Sequence, residues 1–319
     1  LVKDNPYSFL HVVKPEVDLP KGIDLYSEQV YKKAKENFDK FVTEGILIQE
    51  DRPKLYIYRQ TMQLQEQYGI VGCVSVDDYN NDVIKKHEHT RAKKEDDRMK
   101  HVDVTNANAG PVFLTYRAKK AIDGLVARVV SNLPIYDFIA PDGIGHTVWI
   151  VEDDAVGDEI IKEFANIDYL YVADGHHRSA SAAKVANKRR TANPDYIGEE
   201  EYNFFLAVLF PDYQLNIMDY NRVLKDLHGH TEKELFSALE DLFSLEKIGS
   251  SQYKPEQKGE IGMYFEKEWY KLTLKSEKMD TNDPVKSLDI SYIQDYLLSP
   301  FFGIENPRNR HTEITVSWQ

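Results

Sequence analysis

The chain has 319 residues, 42% apolar and 29% charged, with 20 Tyr and 14 Phe to fill a core, so it is long enough for one large globular domain and a smaller companion. Its net charge of −13 disfavours nonspecific binding to nucleic acid or an anionic membrane, since both need many Lys and Arg contacts to phosphate. No apolar run is long enough to span a bilayer, and the single cysteine, Cys73, excludes an internal disulfide framework and a cysteine-rich zinc site and fits a reducing cytosol.

The chain starts at Leu1 in ordered-looking sequence, and a native N-terminal segment is expected to be missing. Ser8 to Val13 reads as a strand, followed by a Pro-bounded loop. Ser27 caps a helix whose apolar face is Val30, Tyr31, Ala34, Phe38, Phe41 and Val42, with Gly45 as its stop. Strand patterns recur at Lys54 to Arg59 and Tyr68 to Val76. Cys73, inside the second, is expected to be a buried structural thiol.

Ile84 to Lys100 is helix-forming but offers little to bury after Ile84. At about 100° per residue, His87, Arg91, Lys94 and Arg98 fall in one narrow sector of such a helix. A cationic stripe in an acidic protein costs stability unless an anion or a carboxylate relieves it. The competing reading is a solvated helix held by ion pairs four residues apart. The string His87-Glu88-His89-Thr90-Arg91 lacks the second histidine that a His-Glu-x-x-His zinc protease needs, because Arg91 stands at that position.

A turn-rich link, Asn106 to Pro111, leads into a strand at Val112 to Tyr116 and a helix at Lys119 to Leu133. A hairpin follows, with strands at Tyr136 to Ile139 and Thr147 to Val151 joined through Pro141-Asp142-Gly143, and then a helix at Ala155 to Ala165. Tyr169 to Ala173 is short, aromatic and β-branched, which predicts a strand. Ser179 to Ala186 is small and helix-forming, which predicts a helix packed closely on a sheet. Between them stands Asp174-Gly175-His176-His177-Arg178. A helix start carries free N–H groups and the positive end of the dipole, so it attracts anions, and Arg178 and two imidazoles add donors. The plainer alternative is that Asp174 caps the helix, Gly175 supplies a positive φ and the histidines are structural.

Further strands are expected at Asn203 to Phe210 and Leu215 to Tyr220. Asp219-Tyr220-Asn221-Arg222 either returns polar groups to the site or forms a structural turn. Thr231 and Glu234 make a capping box for a helix carrying Leu235, Leu239, Leu242 and Phe243. Strands at Ile261 to Phe265 and Trp269 to Leu274 and a helix at Leu288 to Leu298 complete the chain. The alternation predicts a mixed α/β fold, with a core domain over 1–228 carrying the site and a smaller α+β domain over 229–319.

The strings Ile84 to Arg91 and Ala173 to Arg178, with Asn5-Pro6-Tyr7-Ser8-Phe9 and Asp219 to Val223, resemble the bacterial and archaeal domain-of-unknown-function family numbered ten-fifteen, through most of the chain. The Asp174 to Arg178 turn is also similar, over a short core, to the Gly-x-x-Arg turn of the ParB and sulfiredoxin superfamily, which contacts nucleotide phosphates. Some archaeal members that phosphorylate free serine carry an Asp-Gly-His-His-Arg turn. His176 stands where sulfiredoxin has its cysteine, which argues against sulfinic-acid repair, and no helix-turn-helix reader of ParB type is evident.

The leading expectation is therefore a cytosolic phosphotransferase that uses Mg²⁺ and ATP or another nucleotide on a small hydroxylated metabolite such as serine, or the reverse release of phosphate. His87, Arg91, Arg98, Gly175, His176 and Arg178 would bind the phosphate-containing ligand. Glu88, Asp174 and His177 would carry the chemistry, with Asp174 also holding the metal. Two alternatives are a ParB-like nucleotide-binding regulatory module without turnover and a metal-dependent hydrolase built on Asp174, His176 and His177.

Overall fold

The computed structural model describes residues 2, 4–88, 90–216, 221–278, 283–305 and 314–317. His89, Asp219 and Tyr220, and with them the expected strand beyond Asn216, lie outside the described residues. The chain divides into two compact units, Leu1–Asn216 and Ile217–Gln319.

In chain order the first unit contains α1 (Leu10–Val13), α2 (Glu28–Thr43), β1 (Tyr56–Met62), β2 (Gln65–Ser75), α3 (Val76–Asn80), β3 (Ile84–Lys85) and α4 (Ala92–Thr105). It continues with β4 (Val112–Tyr116), α5 (Lys120–Val130), β5 (Tyr136–Ile139), β6 (Gly145–Ile150), α6 (Asp154–Phe164), β7 (Leu170–Asp174), α7 (His176–Ala192) and β8 (Phe204–Pro211). The strands form one eight-stranded sheet in the order β3-β7-β4-β8-β2-β1-β6-β5. Among the described residues only β3/β7 and β4/β8 pair in parallel, so the sheet is mixed, as the alternation of elements predicts.

The core of this unit sits on the sheet around Ile57, Leu114, Tyr116, Ile122, Ile160 and Phe205, all essentially inaccessible to water. Helix α7 owes its place to small side chains. Ser179, Ala180, Ser181, Ala182, Ala183, Val185 and Ala186 are all buried, which lets neighbouring elements approach its axis from more than one side. One neighbour is α4. Lys184 bonds Glu95 at 2.7 Å and Asp96 at 3.1 Å, Lys188 bonds Asp103 at 2.6 Å, and the Ser181 hydroxyl donates to the Glu95 carbonyl at 2.9 Å.

The structure departs from the expected elements at three places in this unit. Residues 8–13 are not a strand: Val12 is buried on the short helix α1, and His11 turns its ring to Asp18 at 2.8 Å. Cys73 is exposed, because the alternation along β2 turns it to the face opposite Val74, and Val74 packs on the core. The expected helix from Ile84 does not begin there. Burying Ile84 in the sheet, at 0% exposure, contributes about 1.5–3 kcal/mol, whereas helix propensities of ordinary residues differ by at most about 0.7 kcal/mol. The isoleucine therefore joins β3, residues 86–88 and 90–91 stay non-helical, and α4 starts only at Ala92.

The second unit contains β9 (Asn221–Leu224), α8 (Glu232–Leu242), β10 (Phe243–Gly249), β11 (Glu260–Phe265), β12 (Glu268–Leu274), α9 (Asp289–Ile293) and β13 (Ile314–Ser317). The predicted capping box is present: the Glu234 N–H donates to the Thr231 hydroxyl, and the Thr231 N–H donates to the Glu234 carboxylate at 2.7 Å. Strands pair as β10-β12-β11 and as β13-β9. Beyond α9 the chain continues in a wider π-type turn, Gln294–Leu298, that buries Leu298 beside Leu239, Phe243 and Phe302. Among the described residues no helix is long and apolar enough to cross a membrane.

Candidate functional site

Topology brings three segments to one end of the large sheet. Strands β3 and β7 run in parallel, with Lys85 beside Tyr171, so the residues after β3 lie level with the end of β7. Strand β4 is antiparallel to β7, so the loop that enters β4 arrives at the same end. The β4/β7 register slips between Phe113 and Leu114, leaving Ala173 as an extra residue opposite them and re-aiming Asp174 at the strand terminus.

Gly175 then makes the turn at φ 107°, a conformation that a side chain would strain. Its carbonyl accepts the N–H groups of Arg178 and Ser179 at 2.8 and 2.9 Å, which starts α7 directly. Helical geometry leaves the first N–H groups of the turn without an acceptor inside the helix. Most helices meet that demand with a side-chain cap or an acid. Here Gly175 provides no side-chain cap and the first turn holds no acid; its first three residues are His176, His177 and Arg178.

Each of these side chains has a definite place. The Arg178 guanidinium is ion-paired with Asp174 and lies against two glycines: a Cβ at Gly175 would meet it at 3.1 Å, and one at Gly110 at 3.6 Å. His177 Nε2 accepts the backbone N–H of Arg91 at 3.1 Å and so ties the segment after β3 to α7. His176 is only 5% exposed. Its ring meets the His87 ring edge-on at 4.4 Å, its Nδ1 lies 3.6 Å from Glu88 Oε2, and its buried Nε2 has no hydrogen-bond partner among the described residues. Burial, reinforced by the neighbouring His87, holds His176 below the ordinary imidazole range, and Glu88 offsets part of this.

The structure thus brings Asp174, Gly175, His176, His177 and Arg178 together with His87, Glu88 and the backbone of Arg91. It does not build the expected cationic stripe: His87 and Arg91 precede α4, so they share no helical face with Lys94 and Arg98. Arg98 is exposed on α4, where its charge helps to depress the ionisation of buried His101. Glu88 faces His176, and its side chain remains 54% exposed.

Two supports went unnoticed in the sequence. Gly110 sits in what reads only as a turn-rich link, and nothing in that pattern says the link ends beside Arg178. The Thr90 hydroxyl donates to Glu95, which with Lys184 fixes the start of α4 against α7. A Thr five residues before a Glu, at the close of a polar stretch, is the only sequence signal for this brace.

Among the described residues no three His, Cys, Asp or Glu side chains converge to hold a metal ion. Asp174 turns to Arg178, His176 is buried against Glu88, and His177 spends a nitrogen on Arg91, so these three do not form a common ligand set. A cleft of about 590 Å³ lies at the other end of the strand order, between β1, β5 and β6. Its cation, Arg59, lies 3.3 Å from Glu66 and 4.0 Å from Asp137.

No curated protein and no solved structure matches the chain. One family does, over residues 1–291, and the chain belongs to it: the family described as Protein of unknown function (DUF1015).

Proposed function

We propose that the Asp174 to Arg178 turn, closed by His87, Glu88 and the backbone of Arg91, is the phosphate-binding centre of a cytosolic phosphotransferase acting on a small hydroxylated metabolite such as serine, with a nucleotide as the other substrate. The observation that carries this reading is the start of α7: a 17-residue helix whose positive end has no side-chain cap and no acid in its first turn, and has two imidazoles and a guanidinium there instead. Asp174 already matches the Arg178 charge, so what remains to favour an anion is the helix dipole and the first N–H groups, with the guanidinium as a further donor beside them. The likeness of this turn to that of serine-phosphorylating proteins adds to the reading.

In this scheme the first N–H groups of α7 and Arg178 take the phosphate oxygens, because phosphoryl transfer is mainly positioning and charge neutralisation. Mg²⁺ in such chemistry is held by one or two carboxylates together with the substrate's own phosphates, and Asp174 is the carboxylate at the turn. Glu88, held beside His176 and still reaching solvent, is placed to take the proton of the acceptor hydroxyl. His176 supports Glu88, His87 packs on the His176 ring, and His177 positions the Arg91 backbone.

Calorimetric titration with inorganic phosphate and with ATP tests the binding claim. Arg178→Ala should weaken binding by about 1.5–3 kcal/mol, the range for a charged hydrogen bond, while leaving the fold intact. Affinity equal to that of the unaltered protein would refute the assignment of Arg178.

A further inference from the structure

We infer that the outer edge of β5 joins two copies of this chain, so that their eight-stranded sheets continue into one another. Strand β5 is last in the strand order, and among the described residues nothing pairs with its outer edge. The opposite end of the sheet is blunted in the usual manner, since β3 is two residues long and one of them is Lys85. Strand β5 has no such protection. No lysine or proline falls within its four residues, and Leu133, Ile135, Tyr136, Phe138 and Ile139 present apolar surface at 93, 45, 63, 55 and 77% exposure.

Charge favours a second copy as the occupant. The chain carries −13, so two molecules repel over most of their surface. Residues 133–141 hold one charged side chain, Asp137, and it is already satisfied: the Thr147 hydroxyl donates to it at 2.8 Å and Arg59 lies 4.0 Å away. Two acidic molecules can therefore meet here without opposing charges of like sign.

The backbone fixes the register. The Ala140 N–H donates to the Ile144 carbonyl. Hydrogen-bonded pairs alternate along an antiparallel ladder, so Phe138 and Tyr136 bond inward to His146 and Val148. The N–H and C=O groups of Asp137 and Ile139 then point outward. Across a two-fold axis at Phe138, Asp137 pairs with Ile139 of the second copy and Ile139 with its Asp137, an isologous contact that closes at two subunits. Phe138 faces its own copy as a close, non-hydrogen-bonded pair, which extends the ring ladder of Tyr58, His146 and Phe138 across the junction.

Sedimentation of the full chain, with disulfide trapping in a Cys73→Ser background to remove the exposed native thiol, tests this. The chain should sediment at twice its 37.0 kDa mass at high concentration and dissociate on dilution. Ile139→Pro removes an outward N–H that β6 does not use, and Phe138→Asp sets two carboxylates face to face; each should yield a monomer with an unchanged circular dichroism spectrum. Close antiparallel pairs have Cα atoms about 4.5 Å apart, within disulfide reach. Phe138→Cys should therefore cross-link to a covalent dimer under mild oxidation, whereas Tyr136→Cys should not. A monomer at every concentration, a dimer that survives both β5 variants, or cross-linking through position 136 instead of 138 would each overturn the proposal.

Discussion

Glu88→Gln should lower turnover by at least about 10²-fold, the usual scale of general-base catalysis, while nucleotide and phosphate affinity stay nearly unchanged. The substitution keeps the size and hydrogen-bonding capacity of the side chain and removes only its basicity. In the structure Glu88 is held 3.6 Å from His176 Nδ1, on a segment fixed by the His177 bond to the Arg91 N–H, and its carboxylate still reaches solvent, where an acceptor hydroxyl would arrive. Asp174 is the competing carboxylate, but Arg178 engages it at the helix start. The readout is acceptor-dependent nucleotide consumption over a panel of small hydroxylated metabolites, with binding measured separately. Near-native turnover in the variant would move the base role away from Glu88 and leave it as a partner of His176.

Gly175→Val should produce a loss in both stability and binding. The glycine adopts φ 107°, and a branched side chain forced into that region costs about 1–3 kcal/mol. The new Cβ would also meet Arg178 Nε and Nη2 at 3.1 Å, so the guanidinium must shift from the turn that it overlies. Denaturant unfolding should report the first effect, and a phosphate titration should report at least about tenfold weaker binding, equivalent to about 1.4 kcal/mol. Loss of stability with intact phosphate affinity would show that Gly175 serves only the turn.

Much of the site's frame was legible in the sequence because it depends on local chemistry. The strand before Asp174, the glycine turn and the small-residue helix are each specified within a few residues, and the structure contains all three. The mixed sheet was legible from the alternation of elements, and the capping box at Thr231 from its spacing. What escaped depends on partners far along the chain. Ile84 looks like the first residue of a polar helix until Leu170 is known to pair with it, and that pairing dissolves the stripe from His87 to Arg98. The same pairing delivers His87 and Glu88 to His176, a contact across almost ninety residues that no periodicity encodes. Gly110 reaches Arg178 only because β4 runs against β7, and strand direction is not written in the strand itself.

The central claim is that the start of α7 is a phosphate site. It is tested most directly by a crystal structure grown with tungstate, a phosphate mimic whose heavy atom is located by its anomalous signal. The anion should lie within hydrogen-bonding distance of the first N–H groups of α7 and of the Arg178 guanidinium. An anion found only beside Arg59 in the cleft between β1, β5 and β6, or no bound anion in a crystal whose α7 start is open to solvent, would contradict the account.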